Sequence, residues 1–444
     1  MDISVATQSH DITGGCVTLL GAVDRVVGAM TLVQVVGKNI LVDCGKPIGR
    51  GADDWSLPEV CKNIDILLLT HGHTDHVSAI PDLLDAGFSG PIVGTEATLA
   101  LTRMNCRDGI RLQGGEQRDI LRFCKAFDKL LKRVSLDERI RIDGLEGHVV
   151  FREAGHIIGS TSIDILTRDN RVLCSGDLGR PNSPILRDFN LVYPEGERPV
   201  DLVVLESTYG NREHKVTAKE VELELEKAIK HALRDGGHIL VPAFSIGRTQ
   251  TLLYHLNSLV ESGRIRDLPV AVDSPLGLKV TETYQRSKHL FDKQALALLR
   301  QGDDPLEFEN LYAVNKSRDS MRLRDVEQSM LIIAGSGMCT GGRIVGHLKE
   351  LMPHPETCVL FVGYQAQGTP GRRILEAARS GGSVRMGRDE VPVRCEVTTI
   401  SGLSAHADRI ELKRWLDAVP QVKKVALHHG ELDTQRAFAE WLSS

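Results

Sequence analysis

The 444-residue chain is predicted to be an α/β protein in which one layered domain is interrupted by a second. Three observations predict this. Short aliphatic runs near the start, NILVDCG (39–45), IDILLLTHG (64–72), RVLCSGD (171–177) and DLVVLEST (201–208), read as buried strands that end in Asp, His or Glu, most beside a glycine. From about residue 209, helical and strand patterns alternate, as expected of βαβ units in a parallel sheet. After about residue 395 the strand-and-turn texture returns.

The elements follow in order. Residues 1–207 read as short strands broken by Gly, Asn and Asp turns, with the irregular segment 180–198 the longest between them. Thr217 and Glu220 form the T-x-x-E pattern that opens a helix, and Gly236–Gly237 stops it. HILVPAF (238–244) reads as a strand, 248–262 as a helix, and SMLIIAGSGMCTGG (329–342) as a strand running into a glycine-rich turn. VTTISGLSAHAD (397–408) leads into an amphipathic helix, and VKKVALHHGE (422–431) is a strand ending in histidines. The simplest division is 1–208 with 395–444, interrupted by 209–394.

Composition narrows the class. Hydrophobic residues are 41% and charged residues 25%, ample for a globular core. The net charge of −5 does not advertise nucleic acid, although net charge says little about local patches. Nine singly scattered cysteines with no C-x-x-C pair point to a reducing compartment. No apolar run approaches the roughly 18 residues that span a bilayer, and no Lys or Arg precedes Arg25 to start a signal peptide. A cytoplasmic protein without a membrane anchor is expected.

The chemistry is concentrated in HGHTDH (71–76), where four ligand-type side chains follow a strand. His71 and His73 are two apart, so both face one side of an extended segment and can grip one ion. Asp75 and His76 turn away and can serve another. Imidazoles with carboxylates suit Zn²⁺, with Mn²⁺ or Fe as alternatives. Further ligands should come from distant strand ends, and His156, Asp177 and His429 occupy such positions.

These motifs resemble a known family. HGHTDH, GHIIGS, SGDLGR and VDCG are similar to the ordered motifs of the metallo-β-lactamase fold. LEST, SAHAD and HHGE resemble the three additional motifs of the β-CASP nucleases, which include RNase J and the cleavage subunit of mRNA 3′-end processing. FSIGRTQTLLYHL, GSGMCTGGRIVGHLKE and VLFVGYQAQGTPGRRIL look like blocks of that family's inserted domain.

The resemblance implies an αββα sandwich with an inserted α/β β-CASP domain. It implies two Zn²⁺ per chain, with Mn²⁺ as an alternative. His71, His73 and His156 would hold one ion, Asp75, His76 and His429 the other, and Asp177 would bridge them. Asp43 would orient the histidines, and His428 would be a strand neighbour of the ligand. His406, supported by Glu206, would be the proton donor to the leaving oxygen, and Asp75 could orient the attacking water. In the inserted domain Ser336, Thr340 and Gly341, with Arg343 and Arg248, would bind phosphate.

The implied activity is hydrolysis of single-stranded RNA in a cleft between the domains, with DNA or small phosphodiesters and thioesters as alternatives. A non-catalytic scaffold is the reading from another class, but scaffolds lose ligands and every ligand position here is filled. The chain departs from the family pattern at DRVVGAMTLVQ, at DCGKPIGRG and at SRDSMRLRD. Its end soon after HHGE favours an endonuclease over a 5′ exonuclease. A homodimer is compatible with the sequence.

Overall fold

A computed structural model describes residues 1–47, 54–194, 196 and 198–444. The end of the departing stretch DCGKPIGRG, and residues 195 and 197 of the segment 180–198, lie outside the described residues. The chain divides into two compact units, Met1–Glu213 with His406–Ser444, and His214–Ala405.

The discontinuous unit is built on two sheets. One holds seven strands, in the order Ser9–Ile12, Gly15–Gly21, Met30–Val35, Lys38–Val42, Ile66–Leu68, Ile92–Thr95 and Leu131–Val134. The other holds six, in the order Asp2–Ser4, Lys424–His428, Leu202–Glu206, Arg171–Cys174, Thr161–Thr167 and Gly147–Glu153. The two-residue alternation of strands sorts their side chains into layers. Val33, Ile40, Leu68 and Val93 of one sheet share a core with Phe151, Ile163, Val172 and Val204 of the other. The intervening Leu32, Leu41, Leu67 and Ile92 face helices that contribute Leu83, Leu99, Phe123 and Phe127. On the far side, Leu173, Val203, Leu205 and Leu427 pack against Leu412, Trp415 and Phe438. The result is the αββα sandwich.

Two long helices, Glu96–Leu112 and Gln117–Leu130, interrupt the strands and turns expected over residues 1–207. Their signals are local. Thr95 accepts the Thr98 N–H at the first helix, and Glu116 and Asp119 cap the second reciprocally. Ile120, Phe123, Cys124 and Phe127 then fall on one buried face at three- and four-residue spacing.

In the other unit six strands are all parallel, in the order Leu311–Ala313, Val270–Asp273, Leu331–Ala334, Ile239–Pro242, Cys358–Phe361 and Glu396–Thr399. ILVP, VAVD, LIIA and CVLF are buried throughout, as sheets covered on both faces require. Glu396–Thr399 pairs with Cys358–Phe361 in this sheet. The strand-like texture of VTTI groups residues 395–405 with the discontinuous domain, whereas the second unit extends to Ala405. Hydrogen-bond partners, which composition does not encode, place them otherwise.

Candidate metal centre

The site lies where strands of the discontinuous unit end. Ile66–Leu68 delivers HGHTDH, Lys38–Val42 delivers Asp43, Arg171–Cys174 delivers Asp177, and Lys424–His428 delivers His429. His156 comes from the turn joining the antiparallel strands Gly147–Glu153 and Thr161–Thr167. Asp43 and His429 have φ of 60° and 51°, an uncommon left-handed backbone for residues with a Cβ. Such departures cluster at functional sites, where the surrounding fold enforces them.

Seven side chains converge. His73 Nδ1 is 3.1 Å from His71 Nε2 and 3.1 Å from His156 Nε2. Asp177 Oδ2 is 3.5 Å from His71 Nε2 and 3.6 Å from His156 Nε2. The other oxygen, Oδ1, is 3.3 Å from His76 Nε2 and 3.5 Å from His429 Nδ1. Asp75 Oδ2 completes the second group at 3.3 Å from His429 Nε2.

These distances test the fit to a metal. Ligands about 2.0–2.1 Å from a tetrahedral zinc are roughly 3.3 Å from one another, the spacing found here. His76 Nε2 and Asp177 Oδ1 are buried and make no hydrogen bond among the described residues, although they face each other. A shared cation satisfies both. The histidine and carboxylate donors therefore fit zinc, and Asp177 turns one oxygen toward each group.

Electrostatics agree. Burial, then the neighbouring His76, holds His71 neutral, and burial does the same for His73. Neutral imidazole is the metal-binding form. His76 behaves oppositely. Burial disfavours its charge, but Asp177 and Asp43 on either side raise its pKa well above the ordinary value. The pair of carboxylates favours positive charge at this ring, which a bound cation supplies in place of the proton. Burial raises the pKa values of Asp75 and Asp177, yet the surrounding histidines hold both carboxyls below the usual range.

Asp43 organises the histidines through a residue that the sequence reading passed over. Its Oδ1 accepts the Thr70 N–H at 2.8 Å, and its Oδ2 accepts the Thr70 hydroxyl at 2.6 Å and His76 Nδ1–H at 2.8 Å. Because Thr70 donates to Asp43, its oxygen accepts from His71 Nδ1–H at 3.1 Å. One carboxylate thus fixes the tautomers of His71 and His76 and turns both Nε2 atoms toward the centre. Asp43→Ala should weaken metal affinity about 10–100-fold, read by competition with a zinc chelator, and Thr70→Val should show a smaller loss.

Glu206 and His406 meet beside this centre. His406 Nδ1 is 3.3 Å from both Glu206 oxygens, and its ring centroid is 4.5 Å from that of His156. Glu206 is buried and also accepts the Leu178 N–H at 2.6 Å, so it cannot swing away cheaply. Burial opposes charge on His406, but Glu206 and Asp177 together raise its pKa to about 9. His428 faces elsewhere. Its Nε2–H donates to Gly21 O at 2.9 Å, and burial with the adjacent His429 pushes its pKa down to about 3.

Comparison with known proteins gives the family. Residues 23–221 match the metallo-β-lactamase superfamily, 249–374 a Beta-Casp domain, and 390–444 a Zn-dependent metallo-hydrolase RNA specificity domain. A ribonuclease of Thermus thermophilus is 32% identical over 430 residues, covering 95% of each chain. The chain belongs to the β-CASP nucleases. This β-CASP chain is also 28% identical to an RNase J-like protein of Methanocaldococcus jannaschii, over 92% of itself and 90% of that relative. It is 30% identical to the transcription termination factor FttA of Pyrococcus abyssi and spans 66% of that longer protein. A solved structure of a protein of unknown function from Enterococcus faecalis V583 shares the fold at a TM-score of 0.57, with 12% identity, 95% of this chain and 96% of the other being covered.

The phosphate-binding residues expected in the β-CASP insertion all belong to the second unit. Ser336, Thr340 and Gly341 come together in one turn, with Ser336 Oγ accepting the Thr340 N–H at 2.9 Å and the Gly341 N–H at 3.3 Å. Those N–H groups are therefore engaged within the turn. Arg248 opens the helix Arg248–Glu261. Arg343 is tied down at the start of the next helix, donating to Asp273 Oδ1 at 2.5 Å and to the carbonyls of Val314 and Asn315 at 2.9 and 2.6 Å.

Asp273 is fully buried and also accepts from Ser320 Oγ at 2.5 Å and His347 Nε2 at 2.7 Å. Burial alone would raise its pKa, but these hydrogen bonds hold it below 3.8. A depressed carboxyl stabilises the fold above its unfolded pKa and loses that contribution as pH falls through the folded one. Asp273→Ala should therefore destabilise the protein by about 3–5 kcal/mol at neutral pH. Urea titrations should show the gap from wild type shrinking as pH drops below 3.8.

Proposed function

We propose that this chain is a zinc-dependent ribonuclease that hydrolyses phosphodiester bonds of single-stranded RNA at a two-zinc centre, cutting internally. The observation that carries the reading is the two-sided Asp177 carboxylate. One oxygen faces His71 and His156, the other His76 and His429, with His406 on Glu206 alongside. The RNA substrate is supported by the match of residues 390–444 to an RNA specificity domain and by the ribonuclease relative.

His71, His73, His156 and Asp177 would hold one ion, and Asp75, His76, His429 and Asp177 the second. Zinc bound there supplies Lewis acidity toward the phosphate and makes hydroxide available near neutral pH. The chain's own groups do the rest. Asp75 would accept a hydrogen bond from the attacking water. Glu206 holds His406 by Nδ1, which leaves Nε2 as the nitrogen that gives a proton to the departing oxygen. Asp43 and Thr70 keep the imidazoles aimed so that little reorganisation accompanies the reaction.

End-labelled single-stranded RNA incubated with zinc-loaded protein tests the proposal, with matched DNA as the control. Internal fragments that vanish on chelation are expected. A ladder growing from one end would replace internal cutting with exonucleolytic cutting. Intact RNA beside cleaved DNA would overturn the substrate assignment.

A further inference from the structure

The parallel sheet of the second unit has a point where its connections diverge. The chain leaves Ile239–Pro242 toward Val270–Asp273 on one side, and leaves Leu331–Ala334 toward Cys358–Phe361 on the other. Each connection passes the other's strand, and right-handed crossovers running in opposite directions lie on opposite faces of the sheet, so the loops leaving these two neighbouring strands part to opposite faces. In open α/β sheets this is where ligands bind.

The segments leaving three adjacent strands have an unusual composition. AFSIGR (243–248), GSGMCTGGR (335–343) and VGYQAQGTPGRR (362–373) hold four arginines and no Asp or Glu, in a chain whose net charge is −5. Arg343 is committed to Asp273 and Arg372 donates to Glu376 at 2.7 Å, while Arg373 is exposed and Arg248 opens its helix.

The same segments expose aromatic rings. Aromatic residues are only 4% of the chain, yet Phe244 is 44% and Tyr364 61% exposed. Both follow neighbouring strands, Ile239–Pro242 and Cys358–Phe361. They also flank one glycine turn. A Cβ on Gly337 would come 2.8 Å from Phe244 Cδ2, so the ring lies against the turn's backbone, and Gln365, next to Tyr364, donates to Gly337 O at 2.9 Å. A single exposed aromatic is ordinary. Two beside a turn without acidic residues, with the exposed Arg373 on the neighbouring segment, match what single-stranded nucleic acid requires, flat surfaces for bases and a cation for phosphate.

We infer that Phe244 and Tyr364 form a stacking platform for bases of single-stranded RNA at this carboxyl edge, with Arg373 facing the backbone phosphates. The inference rests on the ribonuclease reading and adds the residues that grip the bases. Gly337 is part of it, since any side chain there would displace the Phe244 ring.

Steady-state kinetics on the zinc-loaded full chain test this, using wild type, Tyr364→Ala, Tyr364→Phe and Phe244→Leu. Three substrates are compared: single-stranded RNA, an abasic ribose-phosphate strand of equal length, and bis(p-nitrophenyl) phosphate. Tyr364→Ala and Phe244→Leu should each raise KM for RNA about tenfold with kcat little changed, the effect of one lost base stack. Tyr364→Phe should behave as wild type. Turnover of the abasic strand and the small diester should not respond to any of the three. An unchanged KM for RNA, or equal losses on RNA and the abasic strand, would overturn the platform and leave the ribonuclease reading standing. Wild type that hydrolyses the small diester but no RNA would overturn both.

Discussion

His73→Ala is expected to lose at least one zinc per chain and to lower phosphodiester hydrolysis on the order of 10³-fold, since Lewis-acid stabilisation is worth several kcal/mol. His73 is chosen because its Nδ1 is the nearest neighbour of both other imidazoles in its group, 3.1 Å from each. Without it, two imidazoles and one carboxylate oxygen remain for that ion. Elemental analysis of dialysed protein and RNA turnover should fall together. Full zinc content with wild-type turnover would remove His73 from the centre. The fold should survive, because His73 opens a short helix at the end of its strand and contributes nothing to the sandwich cores.

His406→Ala is the second large effect, and it should separate metal from proton transfer. Loss of a positioned general acid costs about 10²–10⁴-fold, here with zinc retained. The leaving group provides the decisive check. The ribose oxygen that leaves RNA needs a proton as it departs, whereas p-nitrophenolate does not. His406→Ala should therefore cripple RNA cleavage and largely spare bis(p-nitrophenyl) phosphate. Equal losses on both substrates would make His406 a structural neighbour of the centre rather than its acid. Glu206→Gln should give a smaller loss of the same selectivity, since it weakens the hold on Nδ1 without removing the imidazole.

The centre was legible because its chemistry is dense in sequence. HGHTDH places four donors within six residues at a strand end, and strand ends carrying His156, Asp177 and His429 stand out beside their glycines. Thr70 was not legible. A threonine before a histidine is unremarked in any sequence, and its role appears only when Asp43, 27 residues away, closes a hydrogen bond to it. Arg343 shows the converse. A basic residue after a glycine turn reads as a phosphate ligand until the buried Asp273 is seen to take its guanidinium. The helices Glu96–Leu112 and Gln117–Leu130 are hard to see in sequence because one apolar residue every three or four makes no continuous aliphatic run.

The placement of the strand Lys424–His428 has a consequence in time. It lies between Asp2–Ser4 and Leu202–Glu206, pairing Asp2 with Lys424 across almost the full chain. A polypeptide still being synthesised can form the first sheet and display HGHTDH, but it holds an open slot where this strand belongs. Closing a loop of that length is slow relative to local structure. Until it closes, His429 is absent from its place and Asp177 Oδ1 has only His76 of its second pair. The second group of candidate ligands is complete only once this strand seals the sheet.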